Sequence, residues 1–304
     1  MSLLAVGTVA IDTIETPQGK VDRVVGGAAT YIAWGASYFT KDIRIVSIIG
    51  EDFPQSELEL LKKRGVDTSG IHLVKGGKSF FWAGKYHQDL NTRDTLETQL
   101  NVLGDFDPVI PDEYKKSKYL MLGNLTPSVQ KAVLDQMKTR PEIIAMDTMN
   151  FWMDTAMDEL KEVISRVDLL TINDEEARQL SGEHSLAKAA RAILRMGPRY
   201  LIIKKGEHGA LLFDNNNVFF APALPLYEVF DPTGAGDTFA GGMMGYLAGA
   251  GEIHFENLKR AIITGSAMAS FCVEKFSIDR LKELSQEDIE DRLDEFVKLV
   301  HFEL

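Results

Sequence analysis

The chain has 304 residues, 45% hydrophobic and 9% aromatic, so it can bury a sizeable core and is neither disordered nor fibrous. Its 33 Lys and Arg against 45 Asp and Glu give a net charge of −12, which argues against a nucleic-acid polymer or an anionic membrane as partner. The single cysteine, Cys272, excludes an intramolecular disulfide, and the absence of CxxC and HExxH motifs argues against a zinc site.

The N-terminal residues indicate where the protein is located. Residues 1–7 have no basic flank, and the chain reaches Asp12 too early for a signal-peptide core. No apolar run approaches membrane-spanning length. By elimination, we expect a cytoplasmic protein that does not interact with a membrane.

The first third of the chain mixes strands and helices. Its patterns predict, in chain order, a strand at 3–6, a hairpin at 13–25, a helix from Gly26 to Phe39, a strand at 43–49, a helix from Pro54 to Gly65 and one or two strands at 79–87. Residues 88–108 are polar and give no assignment.

The remainder alternates regularly. It predicts strands at 119–122, 143–146, 167–172 and 200–203, helices beginning at Pro127, Thr155 and Leu186, a hairpin at 210–221, and three helices from Gly236 onward. Alternating strands and helices imply parallel βαβ units, so we predict a doubly wound, mostly parallel sheet flanked by helices.

Two segments do not fit this alternation. The extra strands at 13–25 and 79–87 are interpreted as part of a small β lid, with lid segments near 13–25 and 79–104, over the carboxyl edge of the sheet, where ligands of open α/β sheets bind. No internal repeat or linker interrupts the chain, so residues 1–304 are expected to form a single domain.

The most informative stretch runs from Asp231 to Gly242, with the sequence DPTGAGDTFAGG. Three small residues, Gly234, Ala235 and Gly236, let the backbone approach a ligand closely, and their N–H groups lie at a predicted helix N-terminus that favours an anion. Asp237 follows in the first helical turn. An anion hole beside a carboxylate suits phosphoryl transfer, with the carboxylate taking the proton of the attacking hydroxyl.

A plainer interpretation of this stretch remains open. Asp237 would then only cap the helix, and the glycines would only form a turn. Asp231, which precedes a proline, is interpreted as a residue that orients the loop.

Beyond these residues, the sequence resembles the PfkB/ribokinase family of carbohydrate and nucleoside kinases. The stretch at 231–242 is similar to the family's C-terminal motif. Further landmarks follow in the family's order, namely Gly26-Gly27 before a small-residue helix, Gly50-Glu51-Asp52 after a strand, Asn173-Asp174-Glu175-Glu176, and residues 204–210 with the sequence KKGEHGA. The resemblance covers nearly the whole chain and implies the ribokinase-like form of the predicted fold.

The resemblance implies roles for individual residues. For catalysis, it implies a base at Asp237 and an anion hole at Gly234, Ala235 and Gly236. For the substrate, it implies contacts from Asp12, placed at the end of the first strand, and from Gly26, Gly27 and Asn124. For the nucleotide, it implies contacts from Asn173, Lys204, Gly206, Gly209, Ala267, Ser270 and Val273. It also implies ATP and Mg²⁺, with Glu176 organising the metal through water, and it leaves room for a monovalent cation.

Several of these residues have structural alternatives. Asp12 fits a solvated turn, Asn173 and Glu176 fit a helix cap, and Lys204 fits a surface charge. The stripe formed by Ala267, Ser270 and Phe271 fits a packed core.

The sequence departs from the family at two positions. Tyr31 occupies the place of an asparagine in ribokinase itself, which argues against a free pentose bound in the same way. Ser277 occupies a place where relatives have glycine, which weakens the inference of a monovalent cation there. The lid segments are also short, so the pocket is either open or completed by a partner subunit in a homodimer formed through the lid.

The substrate prediction favours a ribonucleoside. Aromatic residues Phe80, Phe81, Trp82 and Tyr86 in the lid offer rings for a base, and residues 5–12 and 269–274 are similar to archaeal nucleoside kinases of the family. These rings also suit simple packing of the lid.

Three other functions were weighed against this one. The alternative within the same family is a sugar or sugar-phosphate kinase, and a sugar-phosphate substrate would need cations near the lid, for which Lys85 and Arg93 are candidates. A ligand-binding protein without catalysis is disfavoured by the intact Asp237 loop. A Rossmann dehydrogenase is disfavoured because no GxGxxG follows the first strand.

Overall fold

The computed structural model of the protein describes residues 1–301. Within them the strands are, in chain order, β1 (Leu3–Val6), β2 (Ala10–Thr16), β3 (Gly19–Gly26), β4 (Ile43–Gly50), β5 (Val66–Val74), β6 (Phe80–Tyr86), β7 (Arg93–Gln99), β8 (Tyr119–Leu122), β9 (Ile143–Asp147), β10 (Leu169–Asn173), β11 (Tyr200–Lys204), β12 (Ala210–Phe213) and β13 (Val218–Ala221).

The helices of the same residues are, in chain order, α1 (Ala28–Ala36), α2 (Gln55–Lys63), α3 (Pro127–Gln136), α4 (Asn150–Thr155), α5 (Met157–Ile164), α6 (Asp174–Ser181), α7 (Leu186–Leu194), α8 (Ala235–Ala250), α9 (Phe255–Cys272), α10 (Asp279–Glu283) and α11 (Gln286–Val300). Within residues 1–301, no helix combines the length and the apolar character that crossing a membrane requires.

A nine-stranded sheet forms the centre of the fold, in the order β13-β12-β11-β10-β9-β8-β1-β4-β5. The seven strands from β11 to β5 in this order are parallel. At one edge, β12 runs antiparallel to both of its neighbours, β11 and β13. β1 lies inside the sheet, and all four of its residues are buried, as expected when helices cover both faces.

Alternate residues of β1 contribute to two separate cores. Leu3 and Ala5 belong to the cluster that includes residues of α1, α8 and α9, whereas Leu4 and Val6 belong to the cluster with residues of α3, α5, α6 and α7. The side-chain period of two thus places one strand's residues in both layers. The predicted doubly wound α/β architecture is confirmed.

A second, four-stranded sheet has the order β3-β2-β6-β7 and is called the small sheet here. β2 pairs with β6 in parallel, and the other two pairs are antiparallel. It is formed by the two segments that broke the predicted alternation.

Several elements differ from the prediction. Asp12 lies within β2 of the small sheet, not at the end of the first strand, because the chain turns at Gly7 and starts a new strand at Ala10. β5 and β7 were missed, and every residue of β7 is exposed, so no apolar alternation marks it. α4 was missed as well, whereas α6 begins at the helix cap that the sequence offered as one interpretation of Asn173 and Glu176. Four helices, including the short α10, follow Gly236 instead of three.

Candidate active site

Polar residues end three neighbouring parallel strands at one edge of the large sheet. Asp147, Asn173 and Lys204 are the last residues of β9, β10 and β11. The Lys204 side chain reaches across β10, and its Nζ lies 2.8 Å from Oδ2 of Asp147. Sequence reasoning missed Asp147, although an aspartate directly after a predicted strand at this edge was an available signal.

The loop before α8, residues 231–237, is called the anion loop here. Gly234 precedes the helix with φ of +76°, a left-handed conformation that favours glycine, and a Cβ there would overlap the ring of Tyr31. Within residues 1–301, the N–H groups of Gly236 and Asp237 donate no hydrogen bond to the protein. These free donors at a helix N-terminus can hold an anion.

The Lys204 ammonium lies beside this loop. A Cβ built on Gly236 would be 3.2 Å from Lys204 Nζ. The strand-end cation and the free N–H groups therefore face one space. Burial lowers the pKa of Lys204, but the negative charges of Asp147, Glu176 and Asp237 outweigh it, so the pKa is raised and the amine stays charged.

Asp231 fixes the underside of the anion loop. Its Oδ1 accepts a hydrogen bond from the Thr233 N–H at 2.8 Å, and its Oδ2 accepts one from the Ser277 N–H at 3.0 Å. Ser277 has φ of +57°, and its hydroxyl donates to the Val25 carbonyl at the end of β3. The loop is thereby tied to the small sheet one residue before Gly26.

The paired glycines lie against Asp12. A Cβ on Gly26 would overlap the Asp12 carboxylate, so Gly26 lets that carboxylate lie directly on the backbone. Gly27 has φ of +95°, and a Cβ there would be 2.5 Å from the Thr8 carbonyl oxygen. Asp12 is buried, with 4% of its surface exposed, which argues against the solvated-turn alternative.

Three carboxyl groups of the site have raised pKa values. Burial, followed by the charges of Asp231 and Asp237, raises the pKa of Asp12 to about 8. Burial and the charge of Asp147 raise the pKa of Asp237 to about 7, against the lowering effect of Lys204 and Arg93. Glu176 is raised to a pKa of about 7 by burial and by Asp147. Such clustered shifts are typical of functional sites.

Asn173 and Glu176 form a helix cap. The Glu176 N–H donates to Asn173 Oδ1 at 2.8 Å, and the Asn173 N–H donates to Glu176 Oε2 at 2.7 Å. This capping box is one of the two interpretations offered by the sequence, and it leaves Glu176 Oε1 without a hydrogen bond to the protein within residues 1–301. The cap also explains why α6 begins immediately after β10.

Arg93 extends from the small sheet toward these acids. Its positive charge lowers the pKa values of Asp237 and Glu176, and its guanidinium carbon lies 6.0 Å from the centre of the Trp82 ring. The sequence suggested Arg93 only as a contact for a sugar phosphate, because the position of β7 was unknown.

The small sheet contacts the anion loop and the loop that contains Gly206. The Thr233 hydroxyl donates to the Tyr86 hydroxyl at 3.2 Å, linking β6 to the anion loop. The turn between β6 and β7 reaches Gly206, since a Cβ on Gly206 would be 3.0 Å from Asn91 Oδ1. Gly206 is exposed, whereas Gly209 is buried against the Ala221 carbonyl of β13.

The lid aromatics lie on opposite faces of the small sheet. Trp82 pairs with Asp12 in the register of β2 and β6, so both point to one face, and the indole lies over Gly84. Tyr86 shares this face, four residues along. Phe81 points to the other face, where the guanidinium carbon of Arg23 lies 5.9 Å from its ring centre.

Two of the three residues predicted to contact the nucleotide at α9 are buried in this structure. Ala267 is 0% exposed and Ser270 7% exposed, and the Ser270 hydroxyl is held by Arg292 of α11 at 2.6 Å. Neither residue lines an open surface, because both lie on the face of α9 that packs against the rest of the protein. The partly exposed face of the helix and its C-cap instead carries Ile263, Ser266, Ala269 and Val273.

Asn124 is also occupied by the protein itself. Its Oδ1 accepts from the Trp152 indole N–H at 2.8 Å, and its amide donates to the sulfur of Met149. These contacts connect the end of β8 to α4. Asn124 therefore links β8 to α4 in this structure, and its partly exposed amide still has a second N–H with which a substrate hydroxyl can bond.

The donor set is suited to a hard cation held indirectly. Within residues 1–301, no group of three or more His, Cys, Asp or Glu side chains could hold a metal ion by itself. Asp147 at the end of β9 and Glu176 in the first turn of α6 still supply carboxylate oxygens, which Mg²⁺ prefers. Mg²⁺ commonly keeps several waters and uses phosphate oxygens, so this site fits magnesium delivered with a nucleotide.

Fold and site together define an enzyme class, a phosphotransferase that acts on an alcohol group. A doubly wound sheet places a carboxylate, a helix N-terminus and a lysine around one anion site at its carboxyl edge. Residues 2–282 match the family model described as pfkB family carbohydrate kinase. The chain belongs to the PfkB family.

Individual relatives agree with this assignment. The chain is 32% identical over 254 residues to a cytidine kinase of Thermococcus kodakarensis, covering 82% of this chain and 90% of the relative. Ribokinase II of E. coli, solved with ATP and Mg²⁺, superposes with a TM-score of 0.80 at 19% identity, covering 96% of this chain and 99% of that one.

A third similarity is to the Burkholderia thailandensis nucleoside kinase in complex with inosine. It has a TM-score of 0.75 at 19% identity and covers 96% of this chain and 98% of that chain.

The raised carboxyl pKa values predict an unusual dependence of stability on pH. An unfolded Asp titrates near a pKa of about 3.9, so between that pH and about 8 the folded protein binds more protons at Asp12 than the unfolded chain does. The stability contributed by protonated Asp12 is complete below about pH 4 and lost as pH rises through about 8.

We therefore expect Asp12→Asn to raise the free energy of unfolding by at least about 1 kcal/mol more at pH 9 than at pH 5, because most of the pH range over which the folded protein keeps the extra proton lies above pH 5. Urea unfolding of the variant and the wild type at both pH values measures the difference. An equal effect at pH 5 and pH 9 would show that Asp12 ionises normally.

Proposed function

We propose that this protein is an ATP- and Mg²⁺-dependent kinase that transfers the γ-phosphoryl group to a hydroxyl of a ribonucleoside. The observation that carries the proposal is the space shared by Asp237, the free N–H groups of Gly236 and Asp237, and the Lys204 ammonium. A base, an anion hole and a cation are the parts that phosphoryl transfer requires.

Asp237 acts as the catalytic base in this proposal. It removes the proton from the attacking hydroxyl as that oxygen bonds to the γ-phosphorus and the bond to the β-phosphate oxygen breaks. Its pKa of about 7 suits a group that must accept a proton near neutral pH. Gly234, Ala235 and Gly236 keep side chains away from the transferring group, and the free N–H donors stabilise its charge.

Two cations complement this loop from opposite sides. Lys204 lies beside Gly236 at the floor of the site, and Arg93 approaches from the small sheet. When bound, Mg²⁺ would offset phosphate charge, with Glu176 and Asp147 holding its waters. The free Oε1 of Glu176 supports this role, since the capping box uses only the other oxygen.

The remaining nucleotide contacts follow from exposure. Gly206 lines the open side, and Asn173 begins α6 beside it. The partly exposed face of α9 and its C-cap, from Ile263 to Val273, takes the role that the sequence gave to Ala267 and Ser270. Gly209 shapes the loop by packing, since a Cβ there would be 2.1 Å from the Ala221 carbonyl oxygen.

The substrate lies under the small sheet, which acts as a lid. Asp12, Gly26 and Gly27 contact its sugar hydroxyls, and Trp82 on the same face offers a ring to the base. Relatives named cytidine kinase and nucleoside kinase support this choice. A fructokinase and a 6-phosphofructokinase also match the chain, so a sugar acceptor is the alternative.

One prediction tests Asp237 as the catalytic base. Asp237→Asn keeps the shape of the side chain but cannot accept the proton, so we expect kcat to fall by ~10²–10⁴-fold with nucleotide affinity retained. Steady-state kinetics and ADP titration measure the two quantities. A variant with most of the wild-type turnover would rule out this role for Asp237.

Another prediction concerns the nucleobase of the substrate and the Trp82 ring on which it would stack. Stacking on an aromatic ring is worth ~1–3 kcal/mol, so Trp82→Ala should raise the nucleoside KM by roughly 5- to 150-fold. Phe81→Ala is the matched control, because Phe81 lies on the opposite face of the same strand. It should lower the melting temperature and leave the nucleoside KM nearly unchanged.

The comparison needs a nucleoside, a pentose and a melting curve for each variant. A pentose has no base, so its residual activity should change little in Trp82→Ala. Equal losses on both substrates would favour packing of the lid and a sugar-kinase assignment.

We also propose a homodimer formed through the small sheet. All of β7 is exposed, including its one apolar residue Leu96 at 59%, and the unpaired backbone groups of an edge strand are suited to pairing with a second copy. Sedimentation should give a dimer for the wild type and a monomer for Leu96→Asp. A monomeric wild type at micromolar concentration would contradict the proposal.

A further inference from the structure

Tyr31 is one of the positions at which the sequence departs from its family, and its side chain lies against the anion loop. It is 1% exposed and belongs to the core cluster that includes residues of α1, α8 and α9. A Cβ added to Gly234 would lie 2.3 Å from Cζ of the Tyr31 ring and 2.4 Å from both Cε1 and Cε2. These nearly equal distances place Gly234 over the face of the ring. The ring is therefore the surface on which the anion loop rests just before α8.

The Tyr31 ring is fixed in position because α1 and α8 pack backbone against backbone. A Cβ on Gly241 of α8 would be only 2.3 Å from the Ile32 carbonyl oxygen of α1. Such close packing leaves the two helices little freedom to slide past each other. The Tyr31 N–H also donates to the Gly27 carbonyl at 3.2 Å. Tyr31 therefore stands on a rigid support between the paired glycines and the anion loop.

The Tyr31 hydroxyl adds no hydrogen bond to this support. It is buried, and within residues 1–301 it has no hydrogen-bond partner in the protein. Burial and the charge of Asp231 raise the pKa of Tyr31, so the hydroxyl stays protonated. The support that Gly234 receives is thus one of shape, which a phenyl ring would also provide.

We propose that Tyr31 is a positioning residue for phosphoryl transfer, whose ring holds Gly234 so that the free N–H groups of Gly236 and Asp237 point at the transferring phosphoryl group. The inference rests on the proposed kinase function and deepens it. Tyr31 contacts no reacting atom and acts only through the loop. Because Gly234 has the left-handed φ that turns the chain into α8, a shift of Gly234 redirects the donors that follow it.

Removal of the ring should impair the chemical step more than nucleotide binding. Tyr31→Leu keeps a buried apolar side chain but loses the flat surface, and misplaced donors stabilise the transition state poorly, so we expect kcat to fall by at least ~10-fold. The Kd of ADP, which lacks the transferring phosphoryl group, should change by no more than about 3-fold. Steady-state kinetics and calorimetric titration with ADP measure the two quantities.

Tyr31→Phe is the conservative variant that separates the ring from the hydroxyl. It keeps the surface under Gly234, so kcat should stay within about 2-fold of the wild-type value. Removal of a buried hydroxyl that has no partner in the protein should not lower the melting temperature.

Tyr119→Leu is the matched control for the loss of a buried aromatic ring. Tyr119 is 0% exposed, belongs to the same core cluster as Tyr31, and also has a buried hydroxyl without a partner within residues 1–301. It is the first residue of β8 and so lies at the amino end of the sheet, opposite the site. Tyr119→Leu should lower the melting temperature, as Tyr31→Leu does, but leave kcat within about 2-fold of the wild-type value.

A double-mutant cycle tests the contact between the ring and the loop. Gly234→Ala brings a Cβ against the ring in the wild type, whereas in the Tyr31→Leu background only the strain of the left-handed φ remains. The further loss of kcat caused by Gly234→Ala should therefore be smaller in that background than in the wild type. Losses that simply multiply would contradict a direct contact.

Three other results would overturn the inference. They are wild-type kcat in Tyr31→Leu, a loss in Tyr31→Phe as large as that in Tyr31→Leu, and an equal loss in Tyr119→Leu. If Tyr31→Leu does not fold, Tyr31→Met, whose unbranched side chain adapts to irregular space, replaces it with the same expectations. A wild type that transfers phosphate to no alcohol would instead overturn the proposed function, so the two failures are distinguishable.

Discussion

The ammonium group of Lys204 lies between the Asp147 carboxylate at the end of β9 and the backbone donors that begin α8, and the site is organised around it. The sheet places Lys204 at the end of β11, two strands from Asp147, and the long side chain crosses the strand between them. Loss of this charge would leave Asp147, Glu176 and Asp237 near one another without compensation. Their mutual repulsion would then oppose the close approach of these three side chains.

The small sheet is coupled to this centre by contacts at both ends. Ser277 bonds both to Asp231 of the anion loop and to the Val25 carbonyl near the end of β3. Tyr86 of β6 bonds to Thr233 of the same loop. A shift of the small sheet would therefore be transmitted to the loop that holds the phosphoryl group. This geometry links the substrate side and the phosphate side of the site, as expected where closure excludes water before transfer.

Much of the fold followed from the sequence because its signals are local. Apolar runs and turn residues identified the central strands, and the glycine pattern identified the anion loop before α8. β7 gave no signal because an exposed edge strand needs no apolar alternation, and its hydrogen bonds come from pairing with a distant segment. The position of Asp12 was misjudged because the short link between β1 and β2 does not reveal a change of sheet.

The same difference between local and long-range signals decides which site residues could be recognised in the sequence. Asn173 with Glu176, and Asp237 with its glycines, are recognisable because each set lies within one turn of chain. The Asp147–Lys204 pair joins residues 57 apart in sequence, so only the strand order reveals it. Likewise, the orientation of α9 depends on packing against α8 and α11, so the sequence could not show that Ala267 and Ser270 are buried while Val273 is partly exposed.

The most direct test is a screen of phosphoryl transfer from ATP to ribonucleosides, pentoses, hexoses and their phosphates, followed by ADP release in the presence of Mg²⁺. Our account predicts the highest kcat/KM for at least one ribonucleoside, with one nucleoside monophosphate formed per ADP. Turnover confined to sugars or sugar phosphates would contradict the assigned substrate. No transfer to any alcohol would contradict the role given to Asp237 and the anion loop.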